Sequence, residues 1–149
     1  MPATEPPHPA DLAARFRTTR AAHRDETAED YVEAVAQLIA ERGEARVRDL
    51  ARMMGVSHVT VTRIMARLAR EGLVEARRHR PIALTPAGQR LAGRIRERHE
   101  VVLGFLKSLG VPARQAEIDA EGIEHHVSDA TIRAMRRAMA RAAATGPPA

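Results

Sequence analysis

The chain has 149 residues, a formal net charge of +5 and no cysteine, which excludes disulfides, zinc-thiolate sites and a cysteine nucleophile. Hydrophobic residues make up 44% and aromatics only 2%, so the core must be built from Leu, Ile, Val, Met and Ala, which favours packed helices over a β-sandwich. No apolar run approaches the roughly 20 residues of a membrane span, and no charged stretch followed by an apolar block opens the chain. The expectation is a cytoplasmic protein with no membrane partner, built as one ordinary domain or two small ones sharing a core. A basic balance permits nucleic-acid binding.

Residues 1–10, MPATEPPHPA, are Pro-rich and read as a disordered tail. The stretch after it is apolar at helical intervals, with Tyr31, Val35, Leu38 and Ile39 on one face and Gly43 as the stop. Apolar content thins near Arg24 to Ala28, which predicts a break between two helices there. Val47, Leu50 and Met54 give a short helix ending at Gly55. Ser57 caps a second, whose Val61, Ile64, Met65 and Leu68 face inward and which Gly72 ends. LVEAR and PIALT read as two short strands with RRHR at the turn between them. Thr85 and Pro86 open a long helix closed by Gly110, with a bend possible near Gly104. Two more helices follow, one around 112–126 and one after a Ser128 cap, and 144–149 reads as a fraying tail.

Helix, tight turn, helix and basic two-stranded hairpin form the layout of a winged helix-turn-helix. Ser57, His58, Thr60 and Arg63 lie on the polar side of the second helix near its N-terminus, where a recognition helix meets base edges. Arg63 suits a bidentate contact to guanine, and Thr60 and Thr62 suit phosphates or a thymine methyl. Arg77, Arg78, His79 and Arg80 at the wing tip suit phosphates, with steep salt dependence. Any one of these arginines could equally be a solvated face. The assembled order is what points to double-stranded DNA.

A second pattern is acidic. DAEGIEHHVS, residues 119–128, gathers Asp119, Glu121, Glu124, His125 and His126 in a chain with seven histidines. If it is helical, Glu121, Glu124 and His125 share one face at i, i+3 and i+4, and stacked carboxylates repel unless a cation compensates. The alternative is an ordinary exposed helix whose glutamates pair with nearby arginines. Asp30 and Glu33 are likewise i, i+3, and His99 sits beside apolar Val101 and Val102. Together Asp30, Glu33, His99, Glu121, Glu124 and His125 offer oxygen-dominated ligation with two imidazoles, a donor set that suits a hard divalent cation.

D-Y-V-E, then R-H-E, then D-A-E-G-I-E-H-H-V-S around a winged helix resembles the diphtheria-toxin-repressor family in its manganese-responsive branch, from about Ala10 to about Met139. The extended N-terminal helix resembles the proteobacterial form. The resemblance implies a mainly α fold. A winged helix-turn-helix DNA-binding domain with an N-terminal helix extension (11–91) would precede an all-helical metal-binding and dimerisation domain (92–143). It implies a homodimeric repressor of manganese uptake genes, activated by Mn(II) on a palindromic operator, with no organic substrate. Residue by residue it carries Asp30, Glu33, His99, Glu121, Glu124 and His125 onto the six ligand positions of a two-ion site. Glu121 and Glu124 would bridge, with Asp30 on one side and Glu33 and His99 on the other. His126 would orient its neighbours by hydrogen bonding.

Iron-responsive relatives carry sulfur ligands at the positions of Asp30 and Glu121, so manganese is expected over Fe(II), while Co(II), Zn(II) and Cd(II) can bind in vitro. Pro81 departs from the glycine often found in the family's wing turn. The C-terminal SH3-like domain of larger relatives is not expected. Ile95, Val101, Val102, Phe105, Leu106, Leu109 and Ile132 are expected to form the dimer, or else an intramolecular core. Three rivals remain at this point: an iron-responsive repressor, a winged-helix regulator of an organic ligand, and a di-metal oxidase built on the same carboxylates.

Overall fold

A computed structural model describes residues 9–145. Six helices and a two-stranded antiparallel sheet occur among them: α1 Pro9–Arg42, α2 Val47–Met54, α3 His58–Arg70, β1 Val74–Glu75, β2 Ala83–Leu84, α4 Pro86–Ser108, α5 Ala113–Ile123 and α6 Asp129–Thr145. None of the helices is long and apolar enough to cross a membrane.

The predicted break near Arg24 to Ala28 is absent, and α1 runs unbroken for 34 residues, about 50 Å at helical rise. Between Ala10 and Arg42 the sequence holds neither proline nor glycine, and its Ala, Arg and Glu are strong helix formers. Thr27 folds its hydroxyl back onto the His23 carbonyl at 2.8 Å. Thinning apolar content marks where the helix stops burying a face, not where it ends. Pro9 and Ala10 already belong to α1, and Ala144 and Thr145 to α6, so the expected tails are shorter at those ends; their remaining residues lie outside the described ones.

From Ala28 onward α1 buries a stripe. Ala28, Tyr31, Val32, Val35 and Leu38 are all buried, at i, i+3, i+4, i+7 and i+10 spacing. They meet Leu50 of α2 and Val61, Met65 and Leu68 of α3 in one cluster. Each such aliphatic contributes about 1.5–3 kcal/mol on burial. Gly55, at φ 66, makes the turn between α2 and α3, and its N–H returns to the Ala51 carbonyl. That left-handed conformation is open to glycine without a Cβ penalty. Ser57 then caps α3 by accepting from the Thr60 N–H at 3.1 Å.

The wing pairs Val74 with Leu84 and Glu75 with Ala83. Pro81 has no N–H to give, so pairing beyond β2 begins one residue later, where the Ile82 N–H donates to Ala45 at 2.7 Å. His79 takes positive φ, 62, at the tip.

Thr85 caps α4 and its hydroxyl donates to the Gly72 carbonyl at 2.6 Å. The possible bend at Gly104 does not occur. The domain division expected between 91 and 92 falls inside α4, which passes from one core to the other. Ala92 packs in the first cluster, whereas Val101 and Val102 pack in a second with Ala120 and Ile132. Ile95, Val101, Val102 and Ile132 are therefore turned into their own protomer and are not free for a partner. Four helices folding back on one another give these apolar groups a nearer neighbour than a second chain. Leu109 and Ile118, by contrast, are 65% and 59% exposed.

At Gly88 an added Cβ would run into the Leu73 carbonyl oxygen, whereas at Gly93 it would meet open space. Gly88→Ala is expected to cost about 1–3 kcal/mol, and Gly93→Ala to stabilise by about 0.5–1 kcal/mol, both read from urea unfolding. Equal stability of the two variants would mean that α4 can move off the wing.

Candidate metal centre and nucleic-acid face

Four elements bring the acidic and imidazole groups together. The polar side of α1 carries Glu26, Glu29, Asp30 and Glu33 at i, i+3, i+4 and i+7. α4 supplies His99, α5 supplies Glu117 and Glu121, and the turn after α5 supplies Glu124 and His125. The predicted helix to 126 stops at Ile123. Glu124 keeps helical angles as the C-cap, with its N–H on the Ala120 carbonyl, and His126 N–H tightens onto Ile123 at 3.0 Å. Glu124 thus turns inward while Glu121 stays out.

Glu124 is the buried charged group of the core, at 1% exposure. Its Oε2 lies 2.6 Å from His99 Nδ1. Its Oε1 is buried with no hydrogen-bond partner, and His125 Nε2 lies 3.7 Å from it. A buried carboxylate oxygen without a donor costs on the order of 1–3 kcal/mol. Arg98 holds this turn from behind. Its guanidinium donates to the Glu124 carbonyl at 2.9 and 3.2 Å, to the Val127 carbonyl, and to Asp129 Oδ1 at 2.8 Å.

His125 is gripped at both ring nitrogens, its side chain 6% exposed. Nδ1 lies 2.8 Å from Glu29 Oε2 and Nε2 lies 3.3 Å from Asp30 Oδ1. Asp30, Glu33, Glu121 and His125 line one cleft of about 450 Å³, with Met53 and Met54 of α2 on its far wall. Glu121 Oε2 stands 3.6 Å from His99 Nδ1, and Glu117 Oε2 3.6 Å from His99 Nε2. All six sequence-predicted donors therefore gather at the junction of α1, α4 and α5. Among the described residues no three of them form a closed cation-binding group.

His126 does not take the orienting part expected of it. It is more than half exposed, and its Nε2 is 3.8 Å from Glu26, too far for a hydrogen bond. The turn points His126 outward once His125 points in. Glu29, which sequence reading passed over, holds a ring nitrogen instead; the i, i+3, i+4, i+7 stripe on α1 was its available signal.

The donor set fits a divalent cation. Four carboxylates and two imidazoles without sulfur are hard ligands, and the partnerless Glu124 oxygen has a lone pair aimed at no proton. Positive charge is otherwise supplied by the imidazoles. Burial raises the pKa of Asp30, Glu33 and Glu124, with Glu121 adding to the effect on Glu33. Burial opposes protonation of His99, but Glu124 and Glu121 outweigh it and its pKa rises. His125 rises to about 9, chiefly through its hydrogen bond to Glu29. Each of these five shifts is upward, so these groups hold more protons in the folded chain than in the unfolded one. Stability is then complete below the unfolded pKa and lost as pH climbs through the folded one. Metal-free protein is expected to fall in Tm from pH 6.5 to 9, the window of His125, and His125→Gln to fall less. A wild-type Tm that is flat across that window contradicts the arrangement.

On the opposite face, α3 exposes His58, Thr62 and Arg63, and Val59 at 77%. Ser57 and Thr60 spend their hydroxyls on each other and on the cap, 2.9 and 3.1 Å, and Thr62 Oγ1 donates to the His58 carbonyl at 2.8 Å. A cleft of about 670 Å³ separates α3 from the wing, with His58 and Thr62 on one side and Arg77, Arg78 and Arg80 on the other. Arg46 and Arg48 also line it, unforeseen because they sit at the start of α2, away from the recognition helix and the wing. Val59 was legible as an apolar residue off the inward stripe.

Two profiles match this chain: the N-terminal DNA-binding domain of the iron-dependent repressors over residues 25–81, and their metal-binding and dimerisation domain over residues 85–144. The transcriptional regulator MntR of Escherichia coli O6:H1 is 50% identical over 121 residues, 81% of this chain and 78% of that protein. The HTH-type transcriptional regulator MntR of Lysinibacillus sphaericus is 39% identical over 100 residues, 67% of this chain and 72% of that one. A solved manganese-dependent transcriptional repressor in complex with manganese is 29% identical with a TM-score of 0.68. That match covers 76% of this chain, which spans only 52% of the other. The profiles cover both halves and a relative is 50% identical over 78% of its length, so this protein belongs to the iron-dependent repressor family: a metal-dependent, DNA-binding transcriptional repressor, and not an enzyme.

Proposed function

We propose that this chain is a Mn(II)-activated repressor of manganese uptake genes, acting in the cytoplasm as a homodimer on a palindromic operator. Asp30, Glu33, His99, Glu121, Glu124 and His125 would hold two ions per subunit. The observation that carries the reading is Glu124, buried with one oxygen left without a donor between two imidazoles. The solved relative named for manganese supports the ion, as does the absence of sulfur from the donor set. Fe(II), Co(II), Zn(II) and Cd(II) can compete in vitro, because affinity alone does not select manganese.

When bound, Mn(II) supplies the positive charge that four facing carboxylates otherwise lack. The chain's own residues convert that into geometry. Asp30 and Glu33 ride on α1, the same helix whose Tyr31, Val32 and Val35 sit in the core beneath α2 and α3. His99 rides on α4, and Glu121, Glu124 and His125 ride on α5 and the turn that Arg98 anchors. Holding these donors together holds α1 against α4 and α5, and so holds α3 relative to the second cluster. In a dimer, that sets the spacing of two α3 helices against half-sites about one helical turn apart. Only differential affinity for the DNA-competent arrangement shifts the equilibrium.

Chelator-stripped protein on its own promoter DNA, followed by fluorescence anisotropy, is expected to bind roughly 5–150-fold more tightly with Mn(II), a coupling of about 1–3 kcal/mol. Glu124→Ala is expected to show no such response. Binding that ignores a strong chelator would overturn the proposal and point to an organic effector. On the DNA side, Arg63→Ala is expected to weaken operator binding more than non-specific binding, by about 1–3 kcal/mol. Arg78→Ala is expected to weaken both alike and to reduce the slope of log affinity on log salt by about 1. The reverse pattern in a salt titration would exchange their roles.

A further inference from the structure

We propose that Glu29 is a positioning residue that fixes the His125 ring and presents its Nε2 to the cation. The inference rests on the reading of His125 as a ligand. Glu29 and Asp30 are consecutive on α1, yet they meet opposite edges of the same imidazole, Glu29 Oε2 at 2.8 Å from Nδ1 and Asp30 Oδ1 at 3.3 Å from Nε2. A neutral imidazole has one N–H and one lone pair. In a neutral, cation-ligating His125, a carboxylate acceptor at Nδ1 keeps the N–H on that nitrogen and frees the lone pair of Nε2, the edge that meets Asp30 and lies 3.7 Å from the partnerless oxygen of Glu124.

A ring turned over about its Cβ–Cγ bond would set Cδ2 against Glu29 and Cε1 where Nε2 now stands, and Glu29 selects against that pose. The contact spans 96 positions in the chain. It therefore ties α1 to the turn after α5 in addition to whatever the ligands themselves provide. Glu29 is 30% exposed at its side chain, so its replacement leaves the core packing in place. His126, next in sequence, has no such acceptor within hydrogen-bond distance, Glu26 lying 3.8 Å away. The two histidines of the motif are thus separated in role by which of them α1 can reach.

The test compares the full chain with Glu29→Ala and Glu29→Gln, measuring Mn(II) affinity by competition with a chromophoric chelator. Long-range ¹⁵N–¹H spectra of the Zn(II)-loaded protein report which ring nitrogen of His125 is coordinated. Glu29→Ala is expected to lose roughly 10–100-fold in affinity, and Glu29→Gln, whose side-chain carbonyl still accepts from Nδ1, to recover most of it. The wild-type spectrum is expected to show coordination through Nε2. Affinity of Glu29→Ala within about two-fold of wild type overturns the proposal, as does Gln no better than Ala, since a typical outer partner matters more than that. Coordination through Nδ1 overturns it too, and decides the matter even if Glu29→Ala does not fold. His125→Ala and Glu124→Ala serve as the separate control. If they bind Mn(II) like wild type, the site assignment fails rather than the role of Glu29.

Discussion

Glu124 is a carboxylate placed where water cannot reach it, and the rest of the junction is arranged around that fact. An ionised carboxylate in such a place loses its hydration and must recover it from neighbours. His99 lies against one oxygen, and the other is left without a donor. Arg98 meanwhile bonds the Glu124 carbonyl and fixes the turn from the opposite side. Glu124 is thus fixed in place while one of its oxygens is left without a donor. The imidazoles are the nearest available substitutes, and protons on them serve the metal-free fold in the same electrostatic capacity.

The consequences travel because two helices belong to both halves. α1 carries the acidic stripe on one side and the apolar stripe of the DNA-binding core on the other, with Asp30 and Tyr31 adjacent in sequence and opposite in role. α4 begins at the wing, where Gly88 abuts the Leu73 carbonyl, and ends in the second cluster with Val101 and Val102. A helix has no soft point unless proline, glycine or a lost hydrogen bond provides one, and α1 from Ala10 to Arg42 has neither residue. The apolar side chains of α1 pack with those of α2 and α3 in one cluster.

The DNA-facing side divides its polar groups between holding its own shape and meeting a partner. Ser57 and Thr60 close the cap of α3, which leaves His58, Val59, Thr62 and Arg63 as the outward groups. An exposed valine beside polar residues is suited to a thymine methyl. The arginines of the wing and those at the start of α2 face one another across the same cleft, so the positive charge that suits phosphates comes from both of its walls.

Much of this was legible along the chain, because helix starts, stops and inward stripes are local. Ser57, Thr85 and Ser128 cap where they were expected to, and Val61, Ile64, Met65 and Leu68 face inward at helical spacing. The six donors could be singled out as residue types at helical intervals and by family resemblance. Their convergence at one junction could not, since it depends on α1 lying against α4 and α5. The helix break was misjudged because apolar content reports burial, which is a tertiary property, whereas continuity depends on backbone propensity. The roles of His125 and His126 were decided by where α5 ends, one turn earlier than periodicity suggested. Glu29 became visible only when a residue 96 positions away came within hydrogen-bond distance. Composition and spacing determined which chemistry the chain carries. Which groups meet, and which oxygen is left without a donor, was decided by packing, because burial and long-range contact exist only once the helices have closed on one another.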